Sequence, residues 1–222
     1  MNAIGVQHGV PIDKVEGVFK LIRKQLQPRL SDDMQSSIAA AFEHFTAIIS
    51  SVLLEHPELF DETHPDLRAM LYWHFVEETE HKSVSYDVFV DASGGGYRSY
   101  RLRISGMLLA IALGIPIRIG NQTYLLYKDR QILNLWSAAK MTKVLFWRPG
   151  ILSKVLAGVP PYFSPTFHPW DDDNRDVILI WKRAYERTGD PHKAYQALRD
   201  HRANNVHGTS ETPQPEPAWG QA

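Results

Sequence analysis

The sequence predicts an all-α protein: a helical bundle of about eight helices with ferritin-like Glu and Glu-x-x-His helices. Apolar residues recur at helical spacing in segment after segment, and no strand-like alternation persists anywhere. Capping residues and prolines punctuate those segments at intervals suited to helices. At 222 residues, with 44% apolar and 22% charged residues, the chain can bury a substantial core. A single helical metal-binding domain is expected over residues 1–203, followed by a disordered tail over 204–222 that holds Thr-Pro and Glu-Pro pairs.

The first helix begins at the capping-box-like Asp13-x-x-Glu16, repeats Val15, Val18, Phe19, Ile22 and Leu26, and ends at Pro28. Ser31 is the next N-cap, with Asp32 and Asp33 suited to the positive end of the helix dipole. That second helix spans 32–55 and Pro57 closes it. Glu43 shares its face with Ala39, Ala40, Ala47 and Ser50, small residues that would let a neighbouring helix approach and bury the carboxylate. A solvated Glu on a weakly polar face fits the same residues, and His44, one step round, suits a hydrogen-bonded flank. Pro65 stands at the first turn of a third helix expected over 66–90, which Gly94-Gly95-Gly96 ends. The most hydrophobic run, 104–117, is bracketed by Arg101, Arg103 and Arg118. Its fourteen residues fall short of the roughly 20 that a span needs, so burial or peripheral contact with a membrane is expected. Asn121 should cap a helix running to 146, anchored by Leu125, Leu126, Ile132, Leu133 and Trp136, and a short helix follows Pro149. Residues 160–170 read as an extended Pro- and aromatic-rich connector, in which His168 with a following Asp could form a minor second site. Asp171, Asp172 and Asp173 should cap a helix to about 187, and Asp190-Pro191 should open a last one ending near Arg202.

The third helix carries the candidate chemistry in Trp73-His74-Phe75-Val76-Glu77-Glu78-Thr79-Glu80-His81-Lys82. At about 100° per residue, His74, Glu78 and His81 fall within about 60° of arc, with Glu77 at the edge and Glu80 on the far side. Glu78-x-x-His81 has the carboxylate–imidazole spacing of di-metal four-helix bundles. Polar pairs on a solvated helix face have the same spacing. Bulky apolar flanks (Leu71, Phe75 and Phe89 on one side, Trp73, Val84 and Val88 on the other) point to an inward stripe, and inward acids and His are seldom left without a metal or partner.

The absence of Cys excludes disulfides, thiolate zinc sites, iron–sulfur clusters and Cys nucleophiles. Glu, Asp and His remain, ligands that suit a divalent transition metal such as iron, manganese or zinc. A net charge of -1 gives no electrostatic reason to expect nucleic acid. No basic segment followed by an apolar run opens the chain, so a cytoplasmic location, with membrane association through 104–117, is the expectation.

Several segments together resemble the bacterial family of predicted metal-dependent hydrolases. They include Phe42-Glu43-His44-Phe45-Thr46-Ala47, Leu54-Glu55-His56-Pro57-Glu58-Leu59 and the stretch from Trp73 to Lys82. Further along come Tyr86-Asp87-Val88-Phe89, Gly95-Gly96-Tyr97, Gly106-Met107-Leu108-Leu109 and Phe167-His168-Pro169-Trp170-Asp171, so the likeness runs from about residue 1 to about 187. It implies a helical metal-binding protein with Glu43, Glu78 and His81 as ligands and His74 and Glu77 as neighbours. Family members look as though two more helices, one Glu/His-rich, precede the position of Met1. Without them the chain offers half of a di-metal set, which takes one Glu from each of two helices and Glu-x-x-His from each of two others. Three functions compete: a hydrolase acting on a small-molecule substrate, with Glu77 as general base and His74 as an additional ligand; a ferritin-like di-iron oxidase or oxygenase; and a non-catalytic membrane-surface or interaction protein. A homodimer would restore the ligand count.

Overall fold

The computed structural model describes residues 12–131 and 133–206. Among the described residues there are nine α-helices joined by turns and short 3-10 segments, and no strand. In chain order they are α1 (Ile12–Gln25), α2 (Asp32–Glu55), α3 (Pro65–Glu80), α4 (Val84–Ala92), α5 (Gly96–Lys128), α6 (Leu135–Phe146), α7 (Ile151–Tyr162), α8 (Arg175–Thr188) and α9 (Pro191–Val206).

The all-α expectation holds, and α2 has the expected bounds. Its first turn is capped by Ser31, whose Oγ accepts from the Met34 N–H at 3.3 Å. Other boundaries move. Ile12 and Asp13 both lie within α1, so Asp13 does not cap it. The helix expected over 66–90 is two helices, broken over 81–83, and Gly94, Gly95 and Gly96 follow α4 with positive φ. Asn121 caps nothing: α5 runs through Pro116 and Asn121 to Lys128, and the cap is Asn134, whose side chain accepts from the Ser137 N–H at 3.1 Å. Proline ends a helix only when the lost hydrogen bond cannot be replaced; here Pro116 and Ala112 are both exposed, so water can reach the freed carbonyl. Leu133 and Trp136, expected as anchors, are 88% and 78% exposed. α7 takes in Pro160 and Pro161, whose fixed φ suits a helix, so the connector is helical up to Tyr162. Asp171 belongs to a 3-10 turn, and Asn174 precedes α8. α9 continues four residues past Arg202; the expected tail beyond Val206 lies outside the described residues.

The chain divides inside α2 and α3 into two compact units. The first holds residues 1–52 and 77–173. Its core is built from Ala40 and Ala41 of α2, Tyr86 and Phe89 of α4, Met107 and Ala110 of α5, Tyr162 of α7 and Phe167. Burying a side chain of Phe or Met size contributes about 1.5–3 kcal/mol, so these rings and Met107 hold the unit together. Small residues set the spacing: the Ser37 Oγ donates to the Leu102 carbonyl at 2.8 Å, and Gly106 lies so close to Ser37 that any Cβ would overlap its side chain. Gly158 of α7 meets Ile48 of α2 in the same way.

The second unit holds residues 53–76 and 174–222, described to Val206. Tyr72 is its centre, fully buried against Phe60, Phe75 and Tyr195, with its hydroxyl donating to the Leu53 carbonyl at 3.0 Å. α8 and α9 form a hairpin turned by Gly189 at φ +63, a left-handed conformation that favours glycine. Arg199 pairs with Asp61 at 2.9 Å, and the Tyr195 hydroxyl donates to the Pro57 carbonyl at 3.0 Å.

Helices α2 and α5 are each long and apolar enough to cross a membrane, a property that the core helices of water-soluble proteins share. Within the 104–117 run, Gly106, Met107 and Ala110 are buried in the first unit.

Candidate functional site

Glu43 lies in the middle of α2 and is half-buried; of the small residues expected on its face Ala40, Ala47 and Ser50 are buried, while Ala39 is exposed. Burial pushes its carboxyl above the ordinary range, the charge of Glu78 pushes it further up, and His81 pulls it back. The field at Glu43 therefore includes the Glu78 and His81 of the Glu-x-x-His motif, and all three residues, the ligands that the family resemblance implies, lie in the first unit. Glu78 is half-buried near the end of α3. His81 stands one turn on, exposed, with its backbone N–H donating to the Glu77 carbonyl at 2.9 Å. Glu77 is exposed, and His74, also exposed, belongs to the second unit.

The inward stripe read from the flanking residues needs correction. Trp73, Val84 and Val88 are each more than half exposed, so one of its two flanks faces solvent. The buried residues are instead Tyr72, Phe75, Val76 and Thr79 of α3, Lys82 in the turn, and Tyr86 and Phe89 of α4. Large apolar side chains decide which face turns inward, and these residues include the larger rings, with only Thr79 and Lys82 as polar members. Glu78 and His81 are not among them.

In donor type and charge, two carboxylates and an imidazole suit a divalent cation, and a carboxyl held high by a neighbouring carboxylate is one that a cation would relieve. Among the described residues, however, no three His, Asp or Glu side chains come together as a group that could hold a metal ion. The residues fit a cation in kind and charge, but the described residues of one chain do not gather them as a three-ligand group.

Beside Glu43, His44 is buried where the rings of Tyr162 and Phe167 pack on its imidazole at 4.9 and 5.2 Å. Its Nε2 donates to the Gly158 carbonyl at 3.0 Å, the flanking role expected of it. Burial holds its pKa below the usual histidine value; the Gly158 hydrogen bond and Asp172 oppose that shift, and Lys82 adds to it.

Two buried cations carry no recognisable motif. Lys82 packs its ammonium over the Trp170 ring at 4.2 Å and donates to the Asp172 carbonyl. Arg103 donates to the Tyr86 hydroxyl at 2.9 Å and to the carbonyls of Ser164 and Phe167, so it pins the 163–168 segment and is no bracket of a surface run. An Arg three residues before a Gly-Met-Leu-Leu run was the available signal. His168 forms no site with Asp171, Asp172 or Asp173. Its Nδ1 accepts from the Trp170 N–H at 3.2 Å, which leaves Nε2 to donate to Asp87 at 3.1 Å, while the Asp171 carboxylate accepts from the His168 N–H at 2.8 Å.

The fold defines a class, the all-α proteins, and the charges of Glu78 and His81 both act on Glu43. The model of the predicted metal-dependent hydrolase family matches residues 1–173, and the chain belongs to that family. The match stops at Asp173, short of residue 187 and at the last residue of the first unit. No curated protein and no solved structure matches the chain. Membership implies a divalent metal cofactor.

Proposed function

We propose that the protein is a metal-dependent hydrolase in which Glu43, Glu78 and His81, all of the first unit, would hold the ion. The observation that supports this most directly is the coupling of Glu43 to both Glu78 and His81. A divalent ion supplies Lewis acidity toward a scissile carbonyl or phosphoryl group of a small-molecule substrate. Glu77 is exposed one residue from Glu78, and its carboxylate is the group that would take a proton from the attacking water. The half-buried Glu43 would anchor the ion, because burial first and the charge of Glu78 second disfavour its ionised form without a counter-ion. The ligands lacking from one chain would come from a second copy related by a two-fold axis, which repeats each contact on both subunits.

Elemental analysis of purified protein tests this. Roughly two metals per dimer are expected, lost in Glu78→Ala and in His81→Ala. Glu77→Gln should keep the metal and lose about 10²–10⁴ in hydrolysis of a generic ester or phosphoester. A well-folded monomer with no metal after reconstitution would end the proposal. Iron in place of zinc or manganese, with dioxygen consumption and no hydrolysis, would favour the carboxylate-rich di-iron alternative.

A further inference from the structure

We infer that the α5–α6–α7 region of the first unit docks on the surface of a membrane bearing anionic headgroups, without crossing it. From Arg118 to Lys154 the chain carries seven Lys or Arg and one acid, Asp129, so the remainder of this nearly neutral chain is net acidic. Basic charge is thus concentrated in about a sixth of the sequence. The same region holds the most exposed large apolar side chains: Leu133, Leu135, Trp136 and Trp147 are all at least 78% exposed.

The combination of chemistries selects the occupant. Ordinary surfaces scatter single apolar residues, and a concentration of this kind calls for a cover. Tryptophan with an apolar body and a polar N–H suits the headgroup level of a bilayer. Lysine and arginine on the same elements (Lys140 and Lys143 on α6, with Arg148 just after it) are attracted to anionic lipid, each by an amount that compounds. A face of this composition matches interfacial helices better than a second copy of itself, because two such faces would repel. Crossing is opposed by the fold: the first half of α5 is fixed in the core through Arg103, Gly106, Met107 and Ala110. The bilayer contact therefore falls later than the 104–117 run.

The full-length protein should co-sediment with vesicles of phosphatidylcholine mixed with phosphatidylglycerol and be released by high salt. The double variant Lys140→Gln/Lys143→Gln should lower its partition coefficient roughly thirty-fold. Trp136→Glu should also weaken binding, with the helical circular dichroism unchanged because the side chain is already exposed. The metal-ligand variants should bind as the parent does, which separates this inference from the hydrolase proposal. Absence of binding to the anionic vesicles overturns it, as does equal binding to phosphatidylcholine alone. Resistance of the membrane-bound form to carbonate extraction, or a dimer abolished by Trp136→Glu in protein that ignores vesicles, overturns it too.

Discussion

His44 shows how far one side chain can tie stability to pH. Its imidazole is neutral in the fold because burial between Tyr162 and Phe167 disfavours the cation. The unfolded chain protonates near the ordinary 6.5, so between that value and the lower folded pKa the unfolded state binds more protons. Stability should therefore be complete above about pH 6.5 and fall as pH drops through the folded pKa. Chemical denaturation across that range should show the slope, and His44→Gln should flatten it while keeping an amide donor for the Gly158 carbonyl. Glu43 carries the opposite sign. Its folded pKa lies above 4.5, so the metal-free protein loses stability as pH rises through that raised value. Glu43→Gln should raise the Tm of metal-free protein at neutral pH, with the gain vanishing below pH 4.5, and should abolish the stabilisation that added metal gives the parent. A metal response that survives the substitution would remove Glu43 from the site.

Among elements, the contact of α2 with α5 depends on absent side chains. At Gly106 a Cβ would come within 2.8 Å of the Ser37 Cβ and overlap its hydroxyl, with α2 backbone close behind. Gly106→Ala should cost about 1–3 kcal/mol through overpacking, although alanine is the better helix former, and Ser37→Gly should recover part of the loss in the double variant. Urea denaturation of the three proteins measures both effects. The break between α3 and α4 coincides with contacts that are distant in sequence. Nothing in residues 80–84 forbids a helix, yet the chain turns there and Lys82 reaches the Trp170 ring and the Asp172 carbonyl. Such a break leaves His81 on a turn, a less fixed position than the interior of the longer helix that the sequence predicts.

For the whole molecule, the family match and the first unit end at the same residue, while the α8–α9 hairpin completes a separate unit around Tyr72. The candidate ligands Glu43, Glu78 and His81 all lie on the family side of that division. Unfolding monitored by Trp181, stacked on Tyr185 at 5.1 Å in the second unit, should thus respond less to metal than the candidate site does. Fluorescence of a variant that keeps Trp181 as its only tryptophan, followed with and without added metal, checks this; equal shifts for both units would show that they unfold together.

By itself the sequence determined the helical class, the bounds of α2, and the residue types available to a metal, because apolar period, caps and the lack of Cys are local or compositional facts. It also placed Glu43 on a face of small residues, of which Ala40, Ala47 and Ser50 are buried and Ala39 is exposed. Only the tertiary structure decided which face of the Trp73–Lys82 stretch is buried. Both flanks held large apolar residues, and the choice between them came from partners distant in sequence: Tyr195 for Tyr72, Phe60 for Phe75 and Phe167 for Tyr86. The burial of Arg103 and Lys82 was illegible for the same reason: their compensating groups are the Ser164, Phe167 and Asp172 carbonyls and the Trp170 ring, tens of residues away. A charge can be buried only where such partners converge, and convergence is a property of the folded chain.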